Sequence, residues 1–153
     1  MEWNPFRRLK LLLHREPKAE PEPEPENLRR GRLGEQAAKK HLQSAGMKFL
    51  TANFRDARFG RGEIDLVFRD ADCLAFIEVK TRSREDWVRP AQAVDRKKQR
   101  LMSDTAAAYL RQLKTRDVRW RFDIVEVLLL DGAVQTVRHL PNAFPGDERY
   151  RYL

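Results

Sequence analysis

Cysteine is nearly absent: the single Cys73 allows no internal disulfide, which fits a reducing cytoplasm. Histidine is scarce too, and His14, His41 and His139 lack the spacing of zinc ligands. No apolar run approaches the roughly 20 residues of a membrane-spanning helix, so the chain is expected to be soluble or peripheral, with no stable membrane insertion. The phosphate loop G-x-x-x-x-G-K, the dinucleotide fingerprint G-x-G-x-x-G and the nucleophile elbow G-x-S-x-G are all missing. What is present in excess is positive charge. A formal net charge of +8 and a pI near 10.0 favour a polyanionic partner, nucleic acid or an anionic surface.

The 153 residues, 41% of them hydrophobic, suit one domain with appendages. Residues 1–15 mix Trp3, Phe6, Leu9 and Leu11 to Leu13 with basic residues, without the uncharged core or small-residue cleavage site of a signal peptide. They read either as a poorly ordered terminus or as a short membrane-surface or partner-binding segment. From Glu16 to Glu26 proline alternates with acid, the composition of an extended linker. The expected organisation is therefore a disordered tail and linker over 1–27, one domain over 28–146, and a C-terminal tail over 147–153.

Within the domain, Leu28–Ala45 reads as a helix stopped by Gly46, and Met47–Arg55 as a strand. Ile64–Phe68 and Cys73–Val79 are two apolar runs of strand length split by Asp-Ala-Asp, which predicts a β-hairpin. A second helix is expected from Ala91, after Pro90, to about Leu113. A strand over Val118–Leu130, the turn Asp131-Gly132 and a short strand Ala133–His139 complete an α/β fold, a central mixed sheet flanked by helices.

The hairpin carries the chemistry. Alternation puts Leu74, Phe76, Glu78 and Lys80 on one face of the second strand and Ala75, Ile77 and Val79 on the other. In the first strand Glu63 and Asp65 share a face, with Ile64 and Leu66 opposite. A turn centred on Ala71 and Asp72 sets Asp65 across from Glu78, and Glu63 across from Lys80. Like charges at that separation, about 5 Å between Cβ atoms, destabilise a sheet unless a cation or a shared proton lies between them. A hard ion such as Mg²⁺, or Mn²⁺ in its place, takes oxygen ligands, and Lys80 is placed to hold a phosphate oxygen or orient a water. The alternative is plain: a Glu63–Lys80 cross-strand ion pair and a solvated Asp65.

Glu35 lies on the stripe Glu35, Ala38, Leu42, Ala45 of the first helix. It suits either a polar neighbour beneath that stripe or the helix dipole. Arg55, Arg58 and Arg61 surround a glycine-containing loop and can grip phosphates or simply face solvent. On the second helix Lys97 and Lys98 border the apolar stripe; either one of them points toward the acidic face of the hairpin, with Lys97 taken as the site candidate, or the charge run is simply a solvated surface. Asp123, inside an apolar run, reads as structural.

An Asp on one strand followed by Glu-Val-Lys on the next resembles the core of the PD-(D/E)XK nuclease superfamily, in particular its Holliday-junction-resolvase branch. More closely, G-R-L-G-E-Q-A-A at 31–38, N-F-R at 53–55, G-E-I-D-L-V at 62–67, F-I-E-V-K-T-R at 76–82 and R-F-D-I-V-E-V at 121–127 resemble the bacterial YraN family. The resemblance spans about Arg29 to Phe144. It implies a restriction-endonuclease-like core with Asp65 and Glu78 as metal ligands, and Glu35 matching a helical Glu that reaches the metal in the resolvase branch. One departure is Ile64, where the superfamily pattern has Pro. The function expected is a Mg²⁺-dependent nuclease acting on DNA, with junction or branched DNA as a candidate substrate and a homodimer as one way to cut symmetrically. The alternatives are a non-catalytic nucleic-acid-binding protein with the same fold and an adaptor recruited through its N-terminal segment.

Overall fold

The computed structural model describes residues 24–56, 58, 62–83, 94–113 and 118–147. The expected N-terminal tail and most of the Pro/Glu linker, Arg61, Pro90, Ala91 and most of the C-terminal tail lie outside them. The described elements are α1 (Glu26–Ser44), β1 (Lys48–Phe54), β2 (Ile64–Asp70), β3 (Cys73–Arg82), α2 (Arg96–Gln112), β4 (Arg119–Leu130) and β5 (Ala133–Phe144). The strands form one mixed sheet in chain order, antiparallel at every junction except the parallel pair β3–β4. A parallel pair needs a long connection, and this one contains α2. The α/β architecture is the one the sequence predicts, and it is consistent with a restriction-endonuclease-like core.

Alternation along the strands builds a core on each face. Ala38 and Leu42 of α1 pack with Leu66, Phe68, Ala75, Ile77, Val125 and Val127, while Met102, Ala106 and Leu110 of α2 pack with Val67, Leu74, Phe76, Phe122 and Ile124. The β2–β3 ladder runs from Asp70↔Cys73 to Leu66↔Ile77, the register expected from a turn at Ala71-Asp72. Ala71 makes that turn at φ 51°. Strand β2 departs from the expected pattern at its start. Ile64 joins the α2 side and Leu66 the α1 side, so the two do not share a face. The break falls at Asp65, whose carboxylate Oδ2 accepts the Val79 N–H at 2.7 Å.

Both helices have legible ends. Helix α1 closes at Gly46 (φ 87°), with Gly46 N–H donating to Gln43 and Met47 N–H to Leu42, the paired bonds of a Schellman cap. Helix α2 begins at Arg96, later than expected, because the Asp95 side chain caps it by accepting the Lys98 N–H at 2.8 Å. At the far edge, Asp131 (φ 49°) and Gly132 (φ 75°) form the tight turn into β5. That strand continues past its expected end at His139 to Phe144. An edge strand tolerates Pro141, and Asp123 accepts the Asn142 N–H at 2.8 Å where the β4–β5 register shifts.

Gly34 sets how closely α1 lies on the sheet. A Cβ there would meet Thr81 Oγ1 at 1.9 Å and its Cβ at 3.1 Å, so only glycine permits this approach of α1 to β3, and Glu35 comes to the hairpin with it. Gly34→Ala is therefore expected to lower stability in urea unfolding by about 1–3 kcal/mol through overpacking, although alanine is the better helix former. Thr81→Ala in the same chain should recover part of the loss. A Gly34→Ala chain as stable as the wild type would contradict this close-approach account.

Candidate active site

At the end of β2 and β3, beyond Leu66↔Ile77, four elements contribute charged side chains. β2 supplies Asp65, β3 supplies Glu78 and Lys80, α1 supplies Glu35 and α2 supplies Lys98. Glu78 is only 4% exposed although it is charged. Its Oε1 accepts a hydrogen bond from Lys80 Nζ at 2.9 Å. Lys98 Nζ stands 3.0 Å from Oε2, an ion pair without hydrogen-bond alignment, so that buried oxygen accepts no hydrogen bond.

The electrostatics follow from crowding. Burial, and then the Glu78 carboxylate, push the Asp65 carboxyl up to about 7; the Val79 N–H and Lys98 pull the other way, and Glu35 adds to the rise. Glu35 is also raised, by burial and then by Glu63, against a hydrogen bond from Asn53. Burial disfavours the Lys98 ammonium, but Glu78, and then Asp65 and Glu63, outweigh it and raise its pKa. A cation does lie among the acids, as their crowding requires, and it belongs to the protein itself.

The structure brings Asp65, Glu78 and Lys80 together, with Glu35 near enough for its charge to act on Asp65. It does not bring Lys97, which is exposed; the neighbouring Lys98 reaches the acids instead. Glu63 and Lys80 are not paired. Glu63 takes the Arg55 guanidinium, and Lys80 turns along its own strand to Glu78. Arg55 and Arg58 each hold a carboxylate while staying largely exposed, Arg58 with Asp56 at 2.9 Å. Those contacts hold Asp56 down at about 2, chiefly through the Arg58 side chain. Asp123 is structural: wholly buried, it binds Arg121, His139 Nε2 at 2.8 Å and the Asn142 N–H. Burial would raise its pKa, but these hydrogen bonds, His139 first and then Arg121, lower it.

Another buried acid, Glu126, escapes the sequence reading. Glu126 is 0% exposed, pairs in register with Lys80, and holds Arg138 from β5 and, at 3.6 Å, Arg82 from β3. A charge interrupting the apolar run F-D-I-V-E-V is the signal that could have found it.

The residues fit a hard divalent ion. Their donors are carboxylate oxygens, Glu78 Oε2 is buried with only the Lys98 ion pair at 3.0 Å, and burial and then the Glu78 charge push the Asp65 carboxyl up to about 7. Among the described residues no three His, Cys, Asp or Glu side chains converge as a complete ligand group. Mg²⁺ accepts such an incomplete set, since it commonly uses one or two carboxylates with substrate phosphate and water.

Comparison with known proteins bears on this arrangement. The profile of a family described as "Uncharacterised protein family UPF0102" matches residues 34–127. A UPF0102 protein of Trichlorobacter lovleyi is 41% identical over 115 residues, covering 74% of this chain and 88% of its own. One from Porphyromonas gingivalis is 39% identical over 117 residues, covering 76% and 84%. One from Rhodococcus opacus is 37% identical over 118 residues, covering 77% and 98%.

The raised Asp65 carries a pH signature. Between its ordinary value of 3.8 and about 7 the unfolded chain has lost a proton that the folded chain keeps, so stability falls as pH rises through that window. Urea unfolding without divalent metal is expected to show this decline, and Asp65→Asn to flatten it. Parallel profiles for the two chains would contradict the assignment.

Proposed function

The chain belongs to the UPF0102 family, and from the chemistry of its site we propose that it is a metal-dependent nuclease hydrolysing phosphodiester bonds in DNA, with branched or junction DNA as its substrate class. The observation that carries this reading is the convergence of Asp65 and Glu78 at the open end of the β2–β3 hairpin, with the Lys80 ammonium bonded to Glu78. Asp65 and Glu78, with Glu35 on the α1 side, are the oxygen donors for Mg²⁺ or Mn²⁺. Such an ion, when bound, lowers the pKa of a coordinated water and polarises a phosphoryl oxygen. Lys80 orients the attacking water or holds a non-bridging oxygen.

Around this centre Arg55, Arg58 and Lys97 are exposed cations suited to backbone phosphates, and Arg61 joins them on sequence grounds. Arg82 on β3 and Arg138 on β5, tied together by Glu126 on the β4 strand between them, add two guanidiniums. Their contacts give affinity without reading sequence, which suits a substrate recognised by shape. A homodimer would offer two such sites to opposite strands of a junction, in a reaction proposed to take place in the cytoplasm. One observation favours a second reading, a nucleic-acid-binding protein without catalysis: Glu78 already has two ammonium partners.

Thermal unfolding and cleavage assays separate the two. Mg²⁺ or Mn²⁺ is expected to raise the Tm of the wild type and to have no effect on Asp65→Ala. Glu78→Ala should cut a synthetic four-way junction about 100-fold or more slowly while still binding it. Junction binding with no metal effect on Tm and no cleavage by the wild type would favour the non-catalytic reading.

A further inference from the structure

The two ammoniums on Glu78 are not equivalent. Lys80 comes from the same strand and donates an aligned hydrogen bond of 2.9 Å to Oε1. Lys98 comes from the first turn of α2 and stands 3.0 Å from Oε2, which accepts no hydrogen bond. Its backbone is fixed, because its N–H is the group that Asp95 caps, so the ammonium moves only on its flexible four-carbon stem. The Lys98 side chain is 31% exposed, against 5% for that of Glu78. Its charge also acts on Asp65 and Glu63, which puts it among the acids.

We propose that Lys98 is the internal counter-ion of the Asp65–Glu78 pair and that it gives up Glu78 Oε2 when a divalent cation binds. This rests on the metal-binding reading above. Buried carboxylates whose charges repel each other need positive charge, and before any ion arrives Lys98 supplies it. An ammonium and a dication repel each other strongly at one buried oxygen, so the unaligned Lys98 contact yields before the aligned Lys80 bond. The wild type therefore folds without metal, and binds it more weakly than the two acids alone would. Once released, the Lys98 ammonium stays within the length of its stem, where a phosphate oxygen of bound nucleic acid is a suitable partner.

Calorimetric titration of the full chain with Mn²⁺, without nucleic acid, tests this. Lys98→Met is expected to bind Mn²⁺ about tenfold or more tightly than the wild type, because the competing charge is gone. Lys98→Arg, which keeps that charge, and Arg100→Met, altered at an exposed position of the same helix, should stay near the wild type. Equal or weaker binding by a folded Lys98→Met chain overturns this inference and leaves the metal site standing. Absence of Mn²⁺ binding in both wild type and Lys98→Met overturns both. Should Lys98→Met fail to fold, the wild type still answers: its Lys98 Nζ resonance, assigned by its loss in Lys98→Arg, must shift on saturation with Mg²⁺, and an unmoved resonance overturns the proposal.

Discussion

Two carboxylates held together in a half-buried sheet end cannot both stay ionised unless positive charge is brought to them, and much of this fold serves that requirement. Beyond Leu66↔Ile77 the β2–β3 ladder gives way to a side-chain bond, Asp65 to the Val79 N–H, which fixes Asp65 beside Glu78. From one side of the sheet Gly34 lets α1 approach β3 and carry Glu35 in. From the other, Asp95 caps α2 so that Lys98 projects from its first turn. Gly62 serves the same end: a Cβ there would meet Thr105 Oγ1 at 2.1 Å, so only glycine lets the chain enter β2 this close against α2.

Asp65 and Asp123 show what separates a site acid from a structural one. Each sits at an irregular point of the sheet and accepts one backbone N–H, from Val79 and Asn142 respectively. Asp123 also has Arg121 and His139, and its pKa falls; Asp65 faces a second carboxylate, and its pKa climbs to about 7. Burial raises both, so the sign of the shift reports the partners. A buried acid with its partners supplied has no room for chemistry, whereas one left near neutrality can take up a cation or a proton.

Much of this was legible in the sequence, because it depends on local rules. The turn at Ala71-Asp72 fixes which residues face each other along β2 and β3, and Gly46 stops α1. Other features depend on contacts between distant elements, and periodicity does not carry them. The switch of sides between Ile64 and Leu66 arises because a side chain replaces a backbone partner at Asp65. The choice of Lys98 over Lys97 turns on where Asp95 starts α2, a matter of a few residues in helix phase. The grouping of Glu126 with Arg82 and Arg138 needs the β3–β4–β5 order, and the parallel register of β3 with β4 is set across the long connection that contains α2.

The central claim is that Asp65 and Glu78 take a divalent ion in place of the Lys98 ammonium that now serves them. A crystal structure with Mn²⁺, read by anomalous scattering, tests it most directly. The expected result is a peak within bonding distance of carboxylate oxygens from both residues, with the Lys98 ammonium moved away from Glu78. An anomalous map with no peak there, with Lys98 still seated on Oε2, would contradict the account.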